Sequence, residues 1–311
     1  MNTILGAGGP IGNALADTLL ENGEKVRLFS RSKYEIDGTE SVRGDLASYA
    51  SVLEVLKDTK IAYLCAGLKY DYRIWQEEWP KIIRNTINAC KETGTKLVFF
   101  DNVYMYGKVD GKMTEDTPHN PISKKGLIRS EIARLLENEM QKNDIEVIIA
   151  RAADLYGPYS NPETSIPYMM VFKNLMRGKR ARWMADLDQP HSFTYIPDCA
   201  KGLYMLANDE EAWNQIWHLP THSAAIDGKT FIAFAAKELG VEANYSVLRK
   251  KIFKIGKLFS KMAAEAYEML YQNEFPYLFD STKFNKHFNY KPQNYRQGIK
   301  ETIKYIKKKE K

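Results

Sequence analysis

The run Leu5-Gly6-Ala7-Gly8-Gly9-Pro10-Ile11-Gly12 follows a short apolar strand, Asn2–Leu5, and opens the helical pattern Ile11–Glu21. Glycines at this spacing between a strand and a helix leave few folds open. Gly6 permits the tight turn, Gly9 removes the side chain where backbone must approach a pyrophosphate, and Gly12 lets helix and strand pack closely. The first helical turn, entered through Pro10, then offers the free amides from Ile11 onward and a partial positive charge to phosphate groups. The turn reads as one half of a dinucleotide site.

The chain beyond the turn supports that reading. Short apolar runs at Lys25–Phe29, Ile61–Cys65, Leu97–Phe100 and Ile145–Ala150 alternate with helical patterns at Ser51–Leu56, Trp75–Lys91 and about 125–140. Such alternation means βαβ units and a parallel sheet, with right-handed crossovers placing helices on both faces. The expected fold is therefore α/β: a doubly wound, Rossmann-type parallel sheet with a smaller, mostly helical C-terminal substrate region. Residues 1–157 are assigned to the dinucleotide-binding domain, with 190–220 returning to it. Residues 158–189 and 221–311 are assigned to the substrate-binding or lid region. That region opens on the Pro-, Tyr- and Asn-rich loop Gly157–Pro167, and one helix is expected over roughly Leu248–Tyr271. Its amphipathic stretch Phe253–Tyr271 is expected to cover the core, or to form a homodimer seam, rather than to contact a membrane.

The end of the second strand tests which dinucleotide is bound. An acidic residue roughly 20 residues past the glycines would hold the ribose 2′-hydroxyl of NAD. Here the chain reads Phe29-Ser30-Arg31-Ser32-Lys33, so Ser30, Arg31 and Ser32 point to the 2′-phosphate of NADP, with NAD still possible. Asp45 and Leu46, after the third strand, suit an adenine contact. Ala66 and Gly67, small residues after the fourth, let a cofactor pass close to the backbone.

With 44% hydrophobic and 27% charged residues, the chain is neither disordered nor a disulfide scaffold. The net charge of +6 gathers near Lys300–Lys311, and elsewhere both signs interleave, so no nucleic-acid surface is expected. An RNA-associated role through that tail is the weakest alternative. Cys65, Cys90 and Cys199 are far apart and read as buried thiols, and the scattered histidines give no metal site. With no leader pattern and no long apolar run, the expectation is a cytoplasmic protein without a membrane partner.

Taken with Gly44-Asp45-Leu46, Val103-Tyr104-Met105-Tyr106-Gly107, Arg151-Ala152-Ala153-Asp154-Leu155-Tyr156-Gly157-Pro158 and Phe193-Thr194-Tyr195-Ile196-Pro197-Asp198, the glycine turn makes the chain resemble the extended short-chain dehydrogenase/reductase superfamily. Within it, the NAD(P)-dependent epimerase/dehydratase group and its atypical members are most similar. The resemblance spans nearly the whole chain. It implies an NAD(P)-dependent oxidoreductase, epimerase or dehydratase acting on a small sugar-like or carbonyl substrate.

The catalytic set departs from that family. The family's Ser/Thr position is Asn102, and no tyrosine lies between Tyr106 and Tyr156, where its Tyr-x-x-x-Lys pair belongs. Matching the helix through Leu135-Leu136 puts Lys125 and Arg129 in those slots. Lys125 and Tyr104 are the candidate proton donors, and Arg129 and Asn102 candidate cofactor contacts. Tyr70, in the loop after the fourth strand, and His191 are candidate substrate contacts. Arg151 either binds a substrate anion or pairs with a nearby carboxylate. The alternative to an enzyme is a catalytically inactive NADP-binding redox sensor or scaffold.

Overall fold

The computed structural model describes residues 1–160 and 165–309. Residues 161–164 of the expected Gly157–Pro167 loop, and 310–311 of the basic tail, lie outside the described residues. In chain order the strands are β1 (Asn2–Leu5), β2 (Val26–Ser30), β3 (Glu40–Arg43), β4 (Ile61–Leu64), β5 (Lys96–Asp101), β6 (Lys112–Met113), β7 (Val147–Arg151), β8 (Asp154–Tyr156), β9 (Ala181–Met184), β10 (Phe193–Tyr195), β11 (Gln215–His218), β12 (Tyr245–Leu248) and β13 (Leu278–Phe279). The helices are α1 (Pro10–Glu21), α2 (Tyr49–Leu56), α3 (Tyr72–Thr93), α4 (Lys124–Lys142), α5 (Lys173–Met176), α6 (Ile196–Ala207), α7 (Gly228–Leu239), α8 (Lys250–Gly256), α9 (Lys261–Met269), α10 (Tyr271–Glu274), α11 (Thr282–His287) and α12 (Tyr295–Lys309).

Two compact units share the chain. The first holds Met1–Met105, Lys124–Ala152 and Cys199–Leu219; the second holds Tyr106–Ser123, Ala153–Asp198 and Pro220–Lys311. The first unit is a seven-stranded sheet in the order β11-β7-β5-β4-β1-β2-β3, parallel at every pairing. Successive strands leave β1 in opposite directions, so the order reverses between β1 and β4. A crevice for ligands opens beyond the strand ends at such a reversal.

Alternation along β1 sorts the two faces. Leu5 joins a core with Val52, Trp79, Ile82, Ile132 and Leu136, from α2, α3 and α4. Ile4 points the other way, and its Cγ2 would lie 3.4 Å from a Cβ added at Gly12 of α1. A period of two therefore puts α1 on the face opposite α2–α4, as a doubly wound sheet requires.

The second unit is built from short pieces. β10 pairs with β8, β12 with β9 and β13 with β6, all in parallel. Its core packs Tyr156, Phe172, Trp183, Phe193 and Phe231 with Ile299 and Ile303 of α12. The single helix expected over Leu248–Tyr271 is not formed: β12 ends at Leu248, and α8 and α9 are separate helices joined through Lys257–Ser260. Gly256 and the cap at Ser260, whose hydroxyl accepts from the Ala263 amide, interrupt the pattern.

Candidate active site

The glycine turn is shaped by contacts within the first unit. Gly6 has φ of +86°, and a Cβ there would fall 2.4 Å from Ala66 Cα, so only glycine fits between the ends of β1 and β4. Gly9 caps α1 without a side chain, and a Cβ there would meet nothing within 4 Å. α1 has no acidic residue in its first turn, so nothing on the helix neutralises the amides of Ile11 and Gly12. Gly67 likewise borders open space. These features fit a pyrophosphate lying over Gly9 and a dinucleotide passing Ala66 and Gly67.

Around the second and third strands, Ser30 Oγ donates to Ser32 O at 2.5 Å, which holds the turn carrying Arg31. Arg31 is exposed, and Arg43 Nε donates to its carbonyl at 3.1 Å, so two cations share this edge. Lys33, by contrast, pairs with Glu35 at 2.5 Å, which raises its pKa. Asp45 accepts from the Ala47 amide at 3.0 Å, and Leu46 is buried with its carbonyl bonded to Asn85 Nδ2.

The catalytic candidates gather where α3 and α4 begin. Asp71 caps α3 by accepting from the Arg73 amide at 3.1 Å. Lys125, in the first turn of α4, is 0% exposed, with Nζ 4.3 Å from the centre of the Tyr70 ring. Tyr70 meets Trp75 edge-on at 5.8 Å, and Trp75 stacks on Tyr104 with centroids 6.2 Å apart. Tyr70, Tyr104 and Lys125 are thus joined through one tryptophan. Asn102 turns its Oδ1 back to accept from the Tyr104 amide at 3.0 Å.

Two of the candidate arginines are held in a buried ion-pair cluster. Arg129 is 3% exposed, and its Nε donates to Asp101 Oδ1 at 2.8 Å, with Nη2 on the same oxygen. Its guanidinium also lies 4.6 Å from the Trp79 ring and 5.1 Å from Phe99. Arg151, 1% exposed, faces Asp101 Oδ2 at 3.6 Å and Glu137 at 3.2 Å. Of the two roles open to Arg151, the carboxylate pair is the one formed. Arg129 shares this ion-pair cluster, because two buried cations need a buried anion.

Sequence reasoning overlooked Asp101 as the hub of this cluster. An aspartate ending a buried strand, with two arginines at the ends of neighbouring elements, was the available signal. Tyr72, next to the α3 cap, is a further titratable group of this corner. Arg73 Nε donates to the Tyr72 hydroxyl at 3.3 Å, Lys124 Nζ lies 4.0 Å from its ring, and together these cations lower the phenol's pKa.

His191 belongs to the second unit. It is buried, its Nε2 lies 3.0 Å from Asp154 Oδ2, and its ring stacks on Tyr277 at 4.4 Å. Asp154 also lines a cavity with Met170, Arg182, Trp183 and Asn273. Cys65, Cys90 and Cys199 are buried free thiols, and burial pushes Cys65 and Cys90 up to about 12. Among the described residues no cluster could hold a metal ion, and no helix is long and apolar enough to cross a membrane.

A parallel sheet reversing at a glycine turn defines a dinucleotide-binding Rossmann protein. More narrowly, the sequence model of the NAD dependent epimerase/dehydratase family matches residues 3–218, and the chain belongs to that family. It is 29% identical over 122 residues to the uncharacterized UDP-glucose epimerase YtcB of Bacillus subtilis, covering 39% of this chain and 38% of that protein. It is 22% identical over 198 residues to the dTDP-glucose 4,6-dehydratase of Escherichia coli, covering 62% and 49%. The matches therefore span under half the length of these curated relatives. Among solved structures, a UDP-glucuronic acid 4-epimerase from Bacillus cereus in complex with NAD superposes with a TM-score of 0.81 at 19% identity, over 100% of both chains. MoeE5 in complex with UDP-glucuronic acid and NAD gives 0.80 at 20% identity, over 99% of both.

Proposed function

We propose that this chain is a pyridine-nucleotide-dependent enzyme of the epimerase/dehydratase type, acting on a nucleotide-linked sugar and preferring NADP to NAD. The observation that carries the reading is the uncapped N-terminus of α1 above Gly9, with open space where a side chain would stand. The amides of Ile11 and Gly12 face the pyrophosphate. Ser30, Arg31 and Ser32 hold the adenosine ribose and its 2′-phosphate, Asp45 and Leu46 border the adenine, and Ala66 and Gly67 leave the path to the nicotinamide clear. When bound, the dinucleotide supplies a hydride acceptor.

What the protein adds is orientation and proton handling. Lys125 stands in the slot that a tyrosine occupies in the family, and it takes the proton of the substrate hydroxyl. Tyr70 lies over that amine and is itself 42% exposed, so the loop Gly67–Tyr72 moves aside when substrate enters. Arg129 acts indirectly: with Asp101 it fixes the turn of α4 that carries Lys125. The sugar-nucleotide class is supported by the family and by neighbours solved with UDP-sugars.

A second reading, a dinucleotide-binding sensor or scaffold without turnover, is favoured by one observation: the Lys125 amine is wholly enclosed. The test is made on full-length protein freed of bound nucleotide. Titration with NADPH and NADH should show binding of both, tighter for NADPH. Protein reloaded with oxidised NADP+ or NAD+ and incubated with UDP- and dTDP-sugars should then show a rise in the near-ultraviolet absorbance of reduced nicotinamide, as the sugar gives up a hydride and its hydroxyl proton. Binding without that change selects the sensor; no affinity for either nucleotide overturns both readings.

A further inference from the structure

The turn joining α8 and α9 carries the most exposed apolar side chains among the described residues. Ile255 is 63% exposed, Leu258 73%, Phe259 85% and Met262 79%. These are not core residues left at a margin. The inner face of the same hairpin is fully used: Phe253 and Leu270 pack with Met184, Ala266 and Tyr267, and Gly256 approaches Ala263 so closely that an added Cβ would lie 3.3 Å from its methyl group. The hairpin is anchored on one side and bare on the other. The expectation that this stretch covers the core holds only for its inner face.

Charge says what the bare side meets. Between Arg249 and Lys261 the chain carries Arg249, Lys250, Lys251, Lys254, Lys257 and Lys261, with no acidic residue until Glu265. Lys250 is paired with Glu274 at 2.8 Å, and Lys257 lies 4.4 Å from the Tyr267 ring. Lys251, Lys254 and Lys261 are exposed as well, so a collar of cations flanks the apolar tip along the chain. A second copy of this chain would bring an identical collar against the first, which like-charge repulsion opposes. An anionic bilayer satisfies both features together, with lipid phosphates meeting the lysines and acyl chains receiving the tip. Side chains that protrude this far from a turn need no groove of matching shape, only a fluid apolar phase.

We propose that the α8–α9 hairpin is a peripheral membrane-docking element, which inserts Leu258, Phe259 and Met262 among the lipids of an anionic surface. Neither helix is long enough to span, α8 having 7 residues and α9 9, so the hairpin lies within the interface. The element belongs wholly to the second unit.

The experiment is co-sedimentation of the full chain with vesicles of phosphatidylcholine alone or mixed with phosphatidylglycerol. The mixed vesicles should bind the protein and the neutral ones should not, and salt should release it. L258S/F259S/M262S and K254Q/K257Q/K261Q should each weaken binding by about tenfold or more. Because the native thiols are buried, L258C labelled with an environment-sensitive dye reports insertion, and brominated acyl chains should quench it. Absence of binding to mixed vesicles overturns the proposal. So does binding that L258S/F259S/M262S leaves unchanged, since charge alone then explains it. Self-association abolished by L258S/F259S/M262S, without vesicle binding, overturns it in favour of a second copy.

Discussion

Arg129 and Asp101 form a buried pair in which two guanidinium nitrogens converge on one carboxylate oxygen, Oδ1, while Arg151 approaches the other. Arg129 is thereby tied into the framework of the first unit. Removing the anion leaves two buried cations beside the half-buried Glu137, which reaches Arg151 alone of the two. D101N should therefore cost about 3–5 kcal/mol, read as a fall in the urea midpoint. D101L/R129L should recover part of the loss, because the uncompensated charge at position 129 goes with its partner.

The glycines of the first turn do different jobs, and substitution separates them. G6A forces a Cβ to within 2.4–2.7 Å of Ala66 at a positive φ, and should destabilise the fold by more than about 2 kcal/mol. G9A meets no atom of the protein. Its stability should stay within about 0.5 kcal/mol of wild type. Its affinity for pyridine nucleotides should fall by about tenfold or more. Equal binding by G9A and wild type would remove the pyrophosphate from this turn.

The proposed preference for NADP rests on Arg31. A charge-assisted bond to a 2′-phosphate contributes about 1.5–3 kcal/mol, so R31A should weaken NADPH roughly tenfold to a hundredfold and leave NADH nearly unchanged. Fluorescence titration of both nucleotides reads the difference. A parallel loss for both would mean that Arg31 does not distinguish them.

If Lys125 handles the substrate proton, K125M should lower kcat by about 10²–10⁴ while the Kd for dinucleotide holds. Y104F keeps the stack on Trp75 and should lower turnover by less than about tenfold. Full turnover by K125M on an accepted substrate would return the proton role to a tyrosine.

Tyr72 offers a pH-dependent readout. Cations at Arg73 and Lys124 favour its phenolate, so the hydroxyl gives up its proton at a lower pH than an ordinary tyrosine. In ultraviolet titrations referenced to Y72F, R73A and K124A should each move this ionisation upward. An ionisation left in place by both changes would show that these cations do not act on the phenol.

The sheet and its glycine turn were legible in the sequence because both rest on local rules. Side-chain alternation marks strands, helical spacing marks α1 to α4, and the steric needs of Gly6 and Gly12 are met by residues on the adjoining strands. The single helix expected over Leu248–Tyr271 failed because amphipathic spacing continues through a turn where Gly256 and Ser260 break the backbone pattern. The fates of Arg129 and Arg151 were not legible in the same way. Their partner, Asp101, lies 28 residues from Arg129 on another element, and only the packing of α4 beside β5 and β7 brings the three together. Periodicity fixes which face a residue takes, but a charged side chain's partner depends on which elements lie against that face. The sequence thus determined the kind of fold and the glycine turn between β1 and α1. Tertiary structure alone decided which cations remain available to a ligand, and which apolar side chains of the α8–α9 turn stay in water.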